Sequence, residues 1–199
     1  MSMREPSQKA KALTKMLSFS SPVEFRIWLK RNHNESSGIW LRIWKMNSGT
    51  PTVTYAQALD EALCFGWIDG QKKLYDSRSW LQKFTPRKTG SRWSKKNTEH
   101  AERLVKSKKM TPSGLREINA AKSDGRWESA YDSFSAAKVP EDFLKELDKN
   151  KKAKAFFQTL NRTNLYSISY RIQTAKKAET RARKIKDIVK MLERSEKFH

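Results

Sequence analysis

The sequence predicts an α+β fold, with a small mixed sheet and helices in the N-terminal half followed by a helical C-terminal half. Three observations carry this prediction. Ile39-Trp40-Leu41-Arg42-Ile43-Trp44-Lys45 alternates strictly, with Ile39, Leu41 and Ile43 on one face and Trp40, Arg42 and Trp44 on the other. Trp67–Gln71 and Ser79–Phe84 are two further extended segments, close enough in sequence to form a hairpin. From Ser94 onward the apolar residues fall at helical spacing, most clearly at Ala178, Ala182, Ile185, Val189 and Leu192.

The elements follow in order. Residues 1–14 are polar and basic and read as a flexible arm. Leu17-Ser18-Phe19 is a candidate short strand. Ser21-Pro22-Val23-Glu24 opens a helix: Ser21 caps, Pro22 suits the first helical position, and Glu24 completes a capping box. Phe25, Trp28 and Leu29 continue it. The alternating strand comes next, and Thr54-Tyr55-Ala56-Gln57 is a second capping box. Ala58, Leu59, Ala62 and Leu63 form the apolar face of its helix, which ends near Gly66.

In the second half, Ala101, Leu104 and Val105 mark one helix, and Pro112 opens another that runs to about Ser123. Gly125–Val139 reads as a loop anchored by Trp127, Tyr131 and Phe134. Pro140 starts a helix with Phe143, Leu144 and Leu147. Ala153, Phe156, Phe157 and Leu160 mark a short helix, and Leu165, Ile168 and Ile172 another. The domain reading is an arm over 1–14, an α+β region over 15–93 and a helical region over 94–199, the last two packed as one unit. No internal repeat of 20–50 residues is present.

Composition narrows the function. The chain has 199 residues, 42 Lys+Arg and 21 Asp+Glu, for a formal charge of +21. Leu, Ile, Val and Phe make up only about 19% of it, which with this charge is the composition of disorder. Seven Trp, five Tyr and six Met in periodic segments argue instead for a folded chain with a modest, ring-rich core. The single cysteine, Cys64, excludes an intramolecular disulfide framework and a Cys-rich zinc site. Beside Phe65 it reads as a buried small apolar residue rather than a nucleophile. His33, His100 and His199 are far apart and match no metal-binding spacing, so neither a metal nor a cofactor is expected. No apolar run suits a membrane span, and the first 20 residues lack the apolar stretch of a signal peptide, so a cytoplasmic protein is expected. There is no GxSxG, GxGxxG or P-loop, and no Ser–His–Asp order, so nothing makes an enzyme the default.

The positive charge is concentrated twice. Residues 71–97 hold nine Lys/Arg against Asp76 alone, and residues 171–186 hold seven against Glu179 alone. The second cluster lies opposite the apolar stripe of the last helix, as a solvated face does. The first interleaves cations with Trp80, Phe84 and Trp93, either as rings packed beneath cationic stems or as a surface for bases and planar anions.

Several strings together resemble the YdeI/OmpD-associated (OmdA) family, also called bacteriocin-protection proteins. They are Tyr55 through Gln71 (YAQALDEALCFGWIDGQ), Phe84-Thr85-Pro86-Arg87, Ser91-Arg92-Trp93-Ser94, Tyr170 through Lys176 (YRIQTAK) and Glu179 through Arg183 (ETRAR). The match spans about residues 17–195. The resemblance implies a first half of the YjbR/CyaY-like, DUF1801-like α+β kind and a helical OmdA-type second half. It also implies a bacterial stress or bacteriocin-tolerance role and supplies no catalytic residue or cofactor. Frataxin-type iron binding is not implied, because that depends on an acidic surface.

The expected site binds an anionic partner, either nucleic acid or a small phosphorylated ligand, with a protein partner as a further possibility. Arg87 and Arg92 would supply charge and forked donors. Trp67, Phe84 and Trp93 would supply aromatic surface, and Asp69, Gln71 and Ser94 polar contacts. Arg171, Lys176 and Arg181 would close the site from the helical half. The rival reading is an enzyme acting on a small phosphorylated or carboxylated metabolite, with Asp69 as acid/base at a strand–turn junction. An Asp before Gly also serves simply to stabilise a turn.

Overall fold

The computed structural model describes residues 15–134, 136–175 and 177–199. The arm expected over 1–14, and Lys176, lie outside them. The chain divides into two compact units: Met1–Thr89 with Ala101–Asn119, and Gly90–His100 with Ala120–His199.

The first unit is built on a mixed four-stranded sheet in the order β1-β2-β4-β3. Its strands are β1 (Met16–Leu17), β2 (Ile39–Trp44), β3 (Trp67–Leu74) and β4 (Ser79–Pro86). β1 is parallel to β2, and β4 is antiparallel to both β2 and β3. The expected hairpin is therefore present, and it seats its second strand against β2. The first strand lies slightly earlier than Leu17–Phe19. Phe19 leaves the sheet to pack its ring 5.2 Å from Phe25, and its carbonyl accepts from Val53 N–H.

Helix α1 (Pro22–Asn32) starts as predicted, with Ser21 Oγ accepting from Glu24 N–H at 3.3 Å. The Glu24 carboxylate reaches one residue further back than a capping box requires and accepts from both the N–H and the hydroxyl of Ser20. Those bonds hold its carboxyl below the usual range. Helix α2 (Tyr55–Cys64) has the complete capping box at Thr54 and Gln57. Phe25 and Leu29 of α1, Ala58, Leu59, Ala62 and Leu63 of α2, and Ile39, Leu41, Ile43 and Phe84 of the sheet are buried together. This is one face of the sheet covered by two amphipathic helices.

Helices α3 (Lys95–Lys106) and α4 (Pro112–Ser123) each begin in one unit and end in the other. The second unit contains the loop anchors and four further helices: α5 (Glu141–Leu147), α6 (Lys151–Phe157), α7 (Arg162–Gln173) and α8 (Ala178–Glu193). Trp127 packs on Trp93 at 4.9 Å between ring centroids, and Tyr131 meets Tyr170 edge-on at 5.0 Å. The core joins Phe143, Leu147, Ala153, Ile168, Ile172, Ile185, Ile188, Val189 and Leu192. Only the C-terminal part of the predicted α8 stripe enters it. Ala178 and Ala182 are exposed and line a hollow of about 350 Å3 with Asp142, Glu146, Arg181, Ile185 and Lys186. A methyl group buries too little area to draw a neighbouring element over it, so the seam closes where Ile185 begins.

Candidate functional site

The most distinctive surface of the first unit is the sheet face opposite α1 and α2. Strand alternation puts Trp40, Arg42 and Trp44 there, all half-buried. Register brings Lys83 beside Trp40, Leu81 beside Arg42, and Lys73 beside Leu81. The cations lie over the rings. Arg42 Cζ is 3.8 Å from the Trp44 ring and 4.5 Å from Tyr75. Lys73 Nζ is 4.6 Å and Lys83 Nζ 5.7 Å from Trp40. Arg78 Cζ is 5.7 Å from Trp44.

One acidic side chain orders this face from its end. The Asp76 carboxylate accepts from Ser79 Oγ and Arg78 N–H, both at 2.8 Å, and pairs with Arg42 Nη2 at 2.6 Å. The Ser79 hydroxyl is the main reason its carboxyl stays below the ordinary range. Arg42 is thus held over the Trp44 ring by a fixed carboxylate, a pre-organised guanidinium on an aromatic floor.

Two cavities are each lined by an arginine that is more than nine-tenths buried. In the first unit a cavity of about 110 Å3 is lined by His33, the Phe65–Trp67 turn, Pro86, Arg87, Ser113, Arg116 and Glu117; Arg87 is 7% exposed. In the second unit a cavity of about 150 Å3 is lined by Arg92, Arg126, Ser129, Gln173, Thr174 and Ala175. There Arg126 Nε pairs with Asp124 at 2.6 Å, and its Nη1 donates to the Ser91 carbonyl at 2.7 Å.

The residues singled out in the sequence distribute as follows. In the first unit, Trp67 and Phe84 are buried in the core. Trp67 Nε1 donates to the His33 carbonyl at 3.1 Å, and its ring meets Trp28 edge-on. Asp69 lies inside β3 rather than at a strand–turn junction, because the strand runs on through a bulge to Leu74. Its carboxylate accepts from the Tyr55 hydroxyl at 2.8 Å. Burial, with Asp69 nearby, pushes the Tyr55 hydroxyl far above its ordinary pKa, so the phenol remains a donor. Gln71 is exposed, and the buried Gln82 side chain donates to the Gly70 and Gln71 carbonyls beside the bulge. Arg87 faces the first cavity.

In the second unit, Arg92 Nη2 donates to the Thr174 carbonyl at 3.2 Å, which brings the SRWS and YRIQTAK strings to one cavity. Trp93 is buried, and Ser94 Oγ accepts from Asn97 N–H at the start of α3. Arg171 lies over the Phe198 ring at 3.9 Å. Arg181 grips Asp142 through two bonds of 2.6 and 2.9 Å and donates to the Ile172 carbonyl. It joins α5, α7 and α8.

Sequence reasoning left Trp40, Arg42, Trp44, Tyr75 and Lys73 out of the candidate site. The signal was present in the alternation of β2, whose outward face carries two tryptophans flanking an arginine. A sheet face meant only for solvent does not need rings of that size. Among the described residues no group of three or more His, Cys, Asp or Glu side chains could hold a metal ion. No described helix is long and apolar enough to cross a membrane.

Comparison with known families divides the chain along similar lines. Residues 17–117 match the model of a domain of unknown function, DUF8412. Residues 136–195 match the OmdA model, described as bacteriocin-protection, YdeI or OmpD-associated. No curated protein and no solved structure matches the chain. The chain therefore belongs to the DUF8412 family through the region that holds the sheet, and it carries a YdeI/OmpD-associated domain in its C-terminal helices.

Proposed function

We propose that this protein binds single-stranded nucleic acid across the outer face of its sheet, through the row formed by Trp40, Arg42, Trp44 and Tyr75 with Lys73 and Lys83. The observation that carries the reading is the pairing of each ring with a cation on one open face, with Arg42 only 3.8 Å from Trp44. Bases stack on such rings whatever their sequence, at about 1–3 kcal/mol per base. Lys73, Arg78 and Lys83 meet the phosphates, while Arg42, paired with Asp76, braces the Trp44 ring. A net charge of +21 attracts any polyanion over long range. Single strands are favoured over duplex, because rings on this face need unpaired, unstacked bases to stack on them.

Nucleic acid as the partner fits a cytoplasmic location and makes any bacteriocin tolerance indirect. A chain of this charge repels cationic peptides, so protection runs through its nucleic-acid partner rather than through capture of the toxin.

The test is fluorescence anisotropy with short labelled single-stranded DNA, single-stranded RNA and duplex DNA at 50 and 200 mM salt. Single strands should bind more tightly than duplex. Trp40→Ala or Trp44→Ala should weaken single-strand binding by about 1–3 kcal/mol. Lys73→Ala should lower the salt slope by about one. Binding that ignores both tryptophans, or that disappears for every probe at 200 mM salt, overturns the reading.

A further inference from the structure

We propose that Ser113 and His33 form a nucleophile–base pair that hydrolyses short-chain carboxylic esters in the 110 Å3 cavity of the first unit. Ser113 Oγ lies 2.9 Å from His33 Nε2, although the two residues are 80 positions apart. Hydrogen-bond directions fix the rest. His33 Nδ1 is 2.9 Å from the Leu29 carbonyl, which can only accept, so Nδ1 carries the proton. Arg116 Nη2 donates to Ser113 Oγ at 3.0 Å, which leaves the serine proton available to Nε2. In the neutral ring, with Nδ1 protonated, Nε2 is the basic nitrogen and faces the hydroxyl. This is the arrangement a serine nucleophile needs: base within reach, base oriented by a third group.

The imidazole is held from several sides. His33 closes α1, its N–H donating to the Leu29 carbonyl, while its own carbonyl accepts from Trp67 Nε1. The Phe65 ring packs 5.1 Å from it. Ser113 is the second residue of α4, and two glycines let that helix start approach. A Cβ on Gly66 would lie 3.1 Å from the Ser113 carbonyl, and one on Gly114 would lie 2.5 Å from the Cys64 carbonyl. The dyad therefore rests on backbone pressed against backbone, which keeps its geometry fixed.

The reaction balances without a cofactor. Ser113 Oγ attacks the ester carbonyl carbon as its proton passes to His33 Nε2. The carbon–oxygen bond to the alcohol breaks, and the leaving oxygen takes that proton. Water then gives a proton to Nε2 and attacks the acyl carbon. Ser113 leaves, recovers the proton, and a carboxylic acid is released. Arg116, already bonded to Oγ, and Arg87 put positive charge on the wall of the same cavity, which favours the anionic tetrahedral intermediate. The small cavity limits the acyl group to a short one.

The experiment exposes the full-length protein to a fluorophosphonate probe and maps the adduct by peptide mass spectrometry. It then follows p-nitrophenyl acetate for a burst of one equivalent. Wild type should carry one adduct, on Ser113, and Ser113→Ala should carry none. His33→Gln should slow labelling by about 10²–10⁴, the usual contribution of a general base. Circular dichroism checks that each variant is folded. Ser113→Cys provides a second route, since it keeps a nucleophile at the same place: iodoacetamide should modify it far faster than Cys64, and His33→Gln should remove that advantage. A folded wild-type protein with no adduct on Ser113, or equal labelling rates with and without His33, overturns the proposal.

Discussion

Replacing Gly114 with alanine sets two effects against each other. Within a helix, alanine is favoured over glycine by about 0.5–1 kcal/mol, so the substitution should stabilise if only the local chain mattered. Packing opposes it. The added Cβ would lie 2.5 Å from the Cys64 carbonyl and 2.8 Å from the Leu63 carbonyl. It would also collide with Met110 Sδ. The thioether can swing aside. The two carbonyls end α2 and cannot move without it. To relieve the clash α4 must retreat, which breaks the bonds from Thr111 N–H and Thr111 Oγ to the Cys64 carbonyl. Overpacking costs about 1–3 kcal/mol and each lost bond about 0.5–1.5. Packing therefore wins, and the net loss should be about 3 kcal/mol. Urea unfolding followed by tryptophan fluorescence reads this directly, because five of the seven tryptophans belong to the first unit. The midpoint should fall by about 1–3 M. Gly49→Ala, in the same unit, is the control: it meets nothing within 4 Å and bears only the strain of its positive φ. A midpoint for Gly114→Ala at or above wild type would refute the packing argument.

Two further outcomes follow from charge and burial. The Cys64 thiol is fully buried and pushed up to about 11, chiefly by desolvation. At pH 8 it should stay silent to a disulfide reagent until urea unfolds the first unit, and prompt native-state titration would contradict its burial. Arg181 holds the Asp142 carboxyl below its ordinary value of 3.8. A lowered folded pKa gives stability that is present above the unfolded value and lost as pH falls through the folded one. The pair is partly exposed, so its share is below about 1 kcal/mol. The stability gap between wild type and Arg181→Ala, read by helical circular dichroism in urea, should be wider at pH 7 than at pH 3. An equal gap at both would show that the pairing with Asp142 contributes nothing.

What could be read from the residues is what local physics decides. Ser21 and Thr54 cap their helices because a short polar side chain before an apolar run has an orphan N–H to satisfy. The period of two in β2 separates its faces without help from any other element. The α+β class follows from these, as does the order of the helices. Pairings that cross long stretches of chain were hidden. His33 and Ser113 meet because two glycines, Gly66 and Gly114, allow α4 to approach the end of α2. Gly70 after Asp69 suggests a strand–turn junction, yet β4 supplies enough pairing to carry the strand on past that glycine. The burial of Arg87 and Arg126 was equally hidden, since position in sequence does not distinguish a cation that faces a cavity from one that faces water. On α8 the 3.6-residue period located the stripe correctly but could not say where neighbouring helices stop covering it.

The interleaving of the two units has a consequence for how the chain is made. The first unit draws on Ala101–Asn119 as well as on everything up to Thr89. On a ribosome adding about 5–20 residues per second, it waits roughly 1.5–6 s after Thr89 for its last segment. During that interval the end of α2 lacks Thr111, whose arrival supplies two donors for the Cys64 carbonyl. The nascent chain is therefore the stage at which the lone thiol is vulnerable to oxidants and its helix end is open to chaperones. A fragment ended near residue 93 would hold the molecule permanently in that state.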